Sequence, residues 1–345
     1  MNRRTFLGLA GAAAAAGLLP AAPKPGRRPN ILFIPLDDLK PLLGCYGVKD
    51  VKTPNLDKLA AGGTVFLNNH CQQAVCGPTR ASLMTGLHPD RTGVWDLETR
   101  MRDVNPDVLS LPQHLVANGY VTTGLGKTYD PRCVDKKLDE PSWSIPYGSK
   151  EITYNAQTGS PKDGYHAPDV REAKTKGLEA LKGQNFKSGS ARNAALAKLA
   201  GPRAAPATEC MDVPDDAYHD GAMTSTAIDW LRELAQSDKP FFLSAGYHKP
   251  HLPFIAPKKY WDLYDPASIT LAPFQQHAAN SPELAYHTSG ELRSYSDIPD
   301  VGDITPDIQK ELIHGYRACV SYVDAQIGRL LEELEKLGLA DNTIV

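Results

Sequence analysis

The chain has 345 residues, 41% of them apolar, and six cysteines. That is enough for one large domain or two small ones with a full core, and it excludes a small disulfide scaffold. The 37 basic and 40 acidic residues leave a formal net charge of −3, which argues against a general nucleic-acid binder with its basic excess.

Residues 1–22 begin Asn2-Arg3-Arg4-Thr5-Phe6-Leu7, run on through Ala, Gly and Leu, and close on Pro20-Ala21-Ala22. A charged start, an apolar stretch and small residues at a cleavage site make a targeting segment. The paired arginines before Phe-Leu resemble a twin-arginine export signal, so the expected destination, reached through the twin-arginine export machinery, is the periplasm or beyond. Beyond this segment no apolar run reaches the roughly 18 residues of a membrane-spanning helix. Residues 23–29 form a short Pro/Lys/Arg linker.

The run Asn30 to Leu36 is almost continuously apolar and ends in Asp37-Asp38, as expected of a strand buried on both faces. Thr53-Pro54 opens a helix that Gly62-Gly63 stop, and Thr64 to Leu67 reads as a second short strand. A helix from near Cys76 stops at Gly86. Ser110 to Gln113 fits a capping box for another helix, closed by Gly119, and Tyr120 to Leu125 is strand-like. Residues 135–215 carry few aliphatics and read as a polar, partly mobile insertion over the edge of a sheet. A helix follows near Asp220 to Gln236, then a buried strand from Pro240 to Gly246 that runs into Tyr247-His248-Lys249-Pro250-His251. A long helix starts at Pro306 after Thr305 as N-cap. Leu312, Tyr316, Val320, Val323, Ile327, Leu331 and Leu334 mark its buried stripe, and Gly338 ends it. Asp341 to Val345 reads as the start of one more strand. Strands alternating with helices predict an α/β fold with a mostly parallel central sheet flanked by helices.

Three predicted strand ends deliver polar residues: Asp37-Asp38, Lys127 and His248. Ligands of open α/β sheets sit at the carboxyl ends of the strands, so these residues are candidates for one site. Neighbouring carboxylates repel unless a cation or proton intervenes. A hard divalent ion with oxygen ligands answers that need; two acids in a solvated loop are the plainer alternative. His251 either faces substrate or braces its loop. Trp143 either packs or stacks on a sugar. The cysteines Cys45, Cys71, Cys76, Cys133, Cys210 and Cys319 show no C-x-x-C spacing, and a disulfide between Cys71 and Cys76 is the bland reading of that pair.

The segment Cys76-Gly77-Pro78-Thr79-Arg80-Ala81-Ser82-Leu83-Met84-Thr85-Gly86 resembles the C-x-P-[ST]-R-x-x-x-x-T-G signature of type I sulfatases. From Pro29 to Val345 the chain looks most similar to the iduronate-2-sulfatase group. The residues carrying that likeness are Phe241 to Phe254, Leu263-Tyr264 with Ile269 to Pro273, Trp143 to Pro146, and Val320 to Arg329. The resemblance implies the alkaline phosphatase superfamily fold, with Cys76 oxidised to formylglycine by a formylglycine-generating enzyme. It further implies a calcium ion held by Asp37, Asp38 and residue 76, and a sulfated polysaccharide or oligosaccharide as substrate. The chemistry is consistent. One hydroxyl of the hydrated aldehyde attacks sulfur, and the other loses its proton to expel sulfate, so the covalent intermediate has its own exit. Calcium would orient the gem-diol and lower its pKa. A helix N-terminus at residue 76 would offer backbone N–H groups to the anion. Arg80 would hold a gem-diol oxygen, and Lys127 and His248 would bind sulfate oxygens, one of them protonating the leaving alcohol.

Two departures from the group's pattern stand out. In that group a histidine follows the active-site lysine by three positions; here Gly126-Lys127-Thr128-Tyr129 leads to Asp130. An aspartate there would repel sulfate or bind a sugar hydroxyl, which leaves proton donation to His248 or points to a substrate other than iduronate 2-sulfate. The second departure is the group's later Asp-His/Asn-Gly segment and lysine, which are not found in this sequence. The reading is therefore a truncated sulfatase domain with an incomplete calcium site. The alternatives are a phosphonate monoester or phosphodiester hydrolase, and a non-catalytic fragment or sulfoglycan-binding protein.

Overall fold

A computed structural model describes residues 28–161 and 164–345. The expected export signal and most of the expected linker lie outside these residues. The main elements in chain order are β1 (Asn30–Phe33), α1 (Pro54–Ala61), α2 (Cys76–Thr85), α3 (Leu111–Ala117), β2 (Val121–Gly126), α4 (Pro168–Ala180), α5 (Gly189–Ala200), β3 (Thr208–Met211), α6 (His219–Leu234), β4 (Phe241–Gly246), β5 (Phe254–Pro257), α7 (Pro306–Lys336) and β6 (Thr343–Ile344). Among the described residues no helix is long and apolar enough to cross a membrane.

The central sheet has the order β2-β4-β1-β6 and is parallel throughout. Its strands are apolar on both faces because both faces are covered. On one face Leu32, Leu125, Leu243 and Ala245 pack against Met223, Ala227 and Leu231 of α6 and Val323, Ile327 and Leu330 of α7. On the other, Phe242 with Ile31 and Phe33 meets Ala81 and Met84 of α2 and Leu115 of α3. This is the expected α/β class: three layers with the sheet in the middle. A second parallel pair, β3 with β5, lies outside it.

The register decides what the sheet presents at its carboxyl edge. Phe33 pairs with Ser244 and Leu36 bridges to Tyr247, so Asp37 comes level with His248. Gly126 pairs with Gly246, so Lys127 follows at the same edge, its N–H donating to the Gly246 carbonyl at 2.8 Å. The backbones nearly touch here. A Cβ on Gly126, where φ is +75°, would lie 2.1 Å from the Gly246 carbonyl oxygen, and one on Gly246 would lie 2.3 Å from the Lys127 backbone. Only glycine fits either position.

Several expectations change. Residues 64–67 form no strand. Phe66 and Leu67 are exposed, and without a neighbouring strand their β-propensity has nothing to pair with. Thr53 stands at the N-cap of α1, but its hydroxyl accepts the Gly44 N–H and donates to Asp57 instead of capping. Ser110 does cap α3 by accepting the Gln113 N–H; the Gln113 side-chain oxygen, however, accepts a hydrogen bond from Arg102, so the reciprocal half of the box is missing. Residues 135–215 are more regular than expected. Ile145 and Gly148 donate to the Thr122 and Gly124 carbonyls and so cover the free edge of β2. The helices α4 and α5 share a small core of Leu181, Leu196 and Ala204, and β3 joins the second sheet. Trp143 is buried among Tyr129, Tyr147 and Phe242, with its indole N–H on the Leu138 carbonyl, which settles it as packing.

Gly126→Ala and Gly246→Ala should each cost about 1–3 kcal/mol through overpacking, read as a lower urea midpoint with unchanged slope. Gly189→Ala, where nothing lies within 4 Å, should leave the midpoint in place. Equal midpoints for all three would contradict the close approach.

Candidate active site

The site is built on Asp37. Its carboxylate is buried at the end of the first strand and lies between two cations. Arg80 Nη2 donates to Oδ1 at 2.8 Å, and Lys127 Nζ donates to Oδ2. Burial alone would push the Asp37 carboxyl up, but Lys127 and Arg80 outweigh it and hold the group below the usual carboxylate range. Lys127 is correspondingly held above its ordinary value: burial pulls it down and the Asp37 charge more than compensates. Arg80 is buried too, and its second nitrogen donates to the Lys127 and Thr128 carbonyls. One guanidinium thus ties α2 to the ends of β1 and β2.

Cys76 is the first residue of α2, after an extended Val75 at the N-cap. Its Sγ lies 3.5 Å from Lys127 Nζ and 3.6 Å from Asp37 Oδ1. Burial and the Asp37 charge push the thiol up, against the pull of Lys127, so this position does not hold an activated thiolate. No disulfide joins Cys71 to Cys76: Cys71 is exposed and both thiols are free. Arg80 follows Cys76 by one helical turn, which puts both on the same face.

Asp38 has φ +57°, a left-handed conformation that an aspartate tolerates. Its carbonyl accepts the Tyr316 hydroxyl at 2.9 Å, and its Oδ2 lies 3.6 Å from His251 Nε2. His251 Nε2 also lies 3.3 Å from Glu291, and its Nδ1 meets the Leu252 carbonyl at 2.6 Å. This histidine both braces its loop and faces the site. A cavity of 410 Å³ opens here, its polar wall formed by Asp37, Lys127, His219, Asp220, His248 and His251.

Asp130 is turned to a neighbouring cation. It is buried, and it grips Arg132 with both oxygens at 2.9 and 2.8 Å. Burial pushes its carboxyl up, yet the Arg132 hydrogen bonds hold it low. It is not among the residues that line this cavity, and its charge is paired with Arg132. Its partner Arg132, half-exposed, was not singled out from the sequence. Nor were His219 and Asp220. A histidine and an acid at the start of a predicted helix look like ordinary first-turn polarity, and only the fold carries them to His248.

Beside residue 76 the hard oxygen donors are the Asp37 and Asp38 carboxylates, while the Cys76 thiol and the His251 imidazole are softer donors. Asp37, Cys76 and His251 offer ligand atoms within 4.8 Å of one another, Asp37 is ionised, and Asp38 lies beside it. Calcium prefers such carboxylate oxygens and takes more of them than these two supply.

The profile of the family described as Sulfatase matches residues 29–345. Iduronate 2-sulfatase of Homo sapiens is 36% identical over 324 residues, covering 92% of this chain and 53% of the human protein. The chain therefore spans about half the length of that relative. The phosphonate monoester hydrolase of Agrobacterium radiobacter superposes with a TM-score of 0.58 at 23% identity, over 92% of this chain and 61% of that one. A structure solved with its substrate D-glucosamine-2-N,6-O-disulfate gives 0.59 at 19% identity, over 92% and 64%. At such identities the two structures show a shared fold.

Arg80→Ala should cost about 3–5 kcal/mol, because it leaves a buried carboxylate short of its guanidinium. Urea unfolding of the variant measures this. A loss below about 1 kcal/mol would show that the clamp does not hold the strand ends together.

Proposed function

The chain belongs to the sulfatase family, and on that premise we propose that it works as an exported sulfuric ester hydrolase acting on a sulfated glycan. The observation that carries this reading is the convergence of Asp37, Cys76, Arg80 and Lys127 on one helix N-terminus, with His248 on the adjoining cavity wall. A negative, tetrahedral group suits such a place: free N–H groups, a lysine and a histidine all donate towards it.

Position 76 would act as formylglycine, made by a formylglycine-generating enzyme. As its hydrate it supplies one hydroxyl to attack sulfur and a second through which sulfate leaves. Asp37 and Asp38 would hold calcium, which when bound adds positive charge that favours the ionised hydroxyl beside it. The remaining work falls to side chains of this chain. Arg80 fixes Asp37 and keeps it ionised. Lys127, pinned by the same carboxylate, aims its ammonium at the mouth of α2 and neutralises charge that grows on the sulfate oxygens. His248 has a buried Nδ1, while 44% of its side chain is exposed. Its free edge is therefore the one bearing Nε2, from which it protonates the departing alcohol. Enclosure keeps His248 below the ordinary histidine value against the pull of Asp220, and an arriving sulfate ester, being anionic, would raise it. With Asp130 locked to Arg132, His248 is the donor this geometry favours, and the sugar need not be iduronate.

Full-length protein made with a formylglycine-generating enzyme and loaded with calcium should release sulfate from a panel of sulfated glycans. It should also turn over an aryl sulfate faster than an aryl phosphodiester. Mass spectrometry of the peptide spanning residues 70–80 should find the aldehyde at position 76. Chelation should abolish release and calcium restore it, and Lys127→Ala should lower kcat/KM about a hundredfold. Preference for the phosphodiester would move the protein to the other hydrolase class. Verified aldehyde and calcium with no sulfate released would leave a sulfoglycan-binding role.

A further inference from the structure

Beside the lysine of the site, two imidazoles share one buried carboxylate. Asp220, the second residue of α6, accepts the backbone N–H of His248 at 3.1 Å on both oxygens and that of Lys249 at 2.8 Å. Its Oδ1 also meets His219 Nδ1 at 3.2 Å and lies 3.5 Å from His248 Nδ1. The two rings stand edge to face, their centroids 4.5 Å apart at 83°. His248 Nδ1 is sealed from solvent and, among the described residues, has no hydrogen-bond partner, which leaves the Asp220 carboxylate at 3.5 Å as its charge contact. His219 and His248 line the same cavity as Lys127, and 34% of the His219 side chain is exposed. With both Nδ1 atoms turned to Asp220, both outer ring edges face the cavity.

We propose that Asp220 is a positioning residue for a pair of imidazoles, and that His219 is a second substrate-contacting group that binds the anionic ester together with His248. The identity of the ester rests on the sulfatase reading; the geometry of the pair does not. A single carboxylate that also takes two backbone N–H groups cannot rotate to serve either ring alone, so the rings are held as a unit. The arrangement places a second imidazole on the wall, whereas Asp130 is tied up with Arg132.

The charged and titratable groups facing His248 are Asp220 and His219 from α6, Lys127 from the end of β2 and Asp37 from the end of β1. Lys249 and His251 belong to its own loop. Tyr218 precedes α6, and Tyr322 of α7 has its hydroxyl occupied by Gly221 and Asp215. Enclosure lowers His248, Asp220 raises it, and His219 and Lys127 lower it. Replacing His219 by a neutral side chain should therefore raise the His248 titration, and neutralising Asp220 should lower it.

Nitrogen NMR of the imidazoles in the whole chain, titrated through the neutral range with and without sodium sulfate, reads both effects without any turnover. His219→Gln should move the His248 midpoint upwards and Asp220→Asn should move it downwards. In the unsubstituted protein sulfate should raise both histidines together. In His219→Gln sulfate should bind about tenfold more weakly, the scale of one hydrogen bond to a charged group. Should Asp220→Asn fail to fold, His219→Gln decides alone. An unmoved His248 in that variant, or sulfate that leaves His219 unperturbed, overturns the proposal. If these shifts appear while the aldehyde-bearing, calcium-loaded protein releases no sulfate, the enzyme reading fails and the imidazole pair stands.

Discussion

The ion pair between Asp37, Arg80 and Lys127 is the constraint on which the rest of the site depends. A carboxylate this buried is tolerated only if it is paired. Its two cations come from different elements, one from the second turn of α2 and one from the end of β2. Satisfying Asp37 therefore fixes the helix that starts at residue 76 against the carboxyl edge of the sheet. It also turns the Lys127 ammonium towards the Cys76 sulfur. The same pairing keeps Asp37 ionised, as a ligand for a hard cation must be.

Around that clamp the charges are placed in a consistent order. Asp220 holds the histidine end of the site as Asp37 holds the lysine end, and both carboxylates are buried. His251 bridges Asp38 and Glu291 across the mouth. Asp130, which would oppose an anion if free, is silenced by Arg132. The wall that remains offers donors, which suits an anionic ester. The glycines at positions 126 and 246 make this possible by letting β2 and β4 close up where Lys127 leaves the sheet.

Much of this was legible in the sequence, for physical reasons. Apolar runs of strand length before Asp37, before Lys127 and before His248 mark buried parallel strands, and such strands send their following residues to one edge. The spacing from Cys76 to Arg80 is one helical turn, so both had to share a face. What was hidden depends on local turns and on contacts across long separations. That Asp130 pairs with Arg132, two residues on, follows from a turn, and no periodicity reports it. That Asp220 reaches His248 depends on how α6 packs against β4. The region 135–215 looked loose because its polar residues were counted without its partners. Ser142 and Ser144 bond to Thr122 along the edge of β2, and α4 packs on α5. Phe66 and Leu67 misled in the opposite direction, since a β-prone tetrapeptide is no strand without an edge to join.

Convergence of these strand ends on one tetrahedral anion is the point on which the proposed function turns. Its most direct test is the electron density of the full-length protein crystallised with calcium and soaked with sulfate or vanadate. The anion is expected at the N-terminus of α2, beside residue 76, within hydrogen-bond distance of Lys127 Nζ and the outer nitrogen of His248. An anion bound elsewhere, with Lys127 bonded to Asp37 alone and His248 untouched, would contradict it.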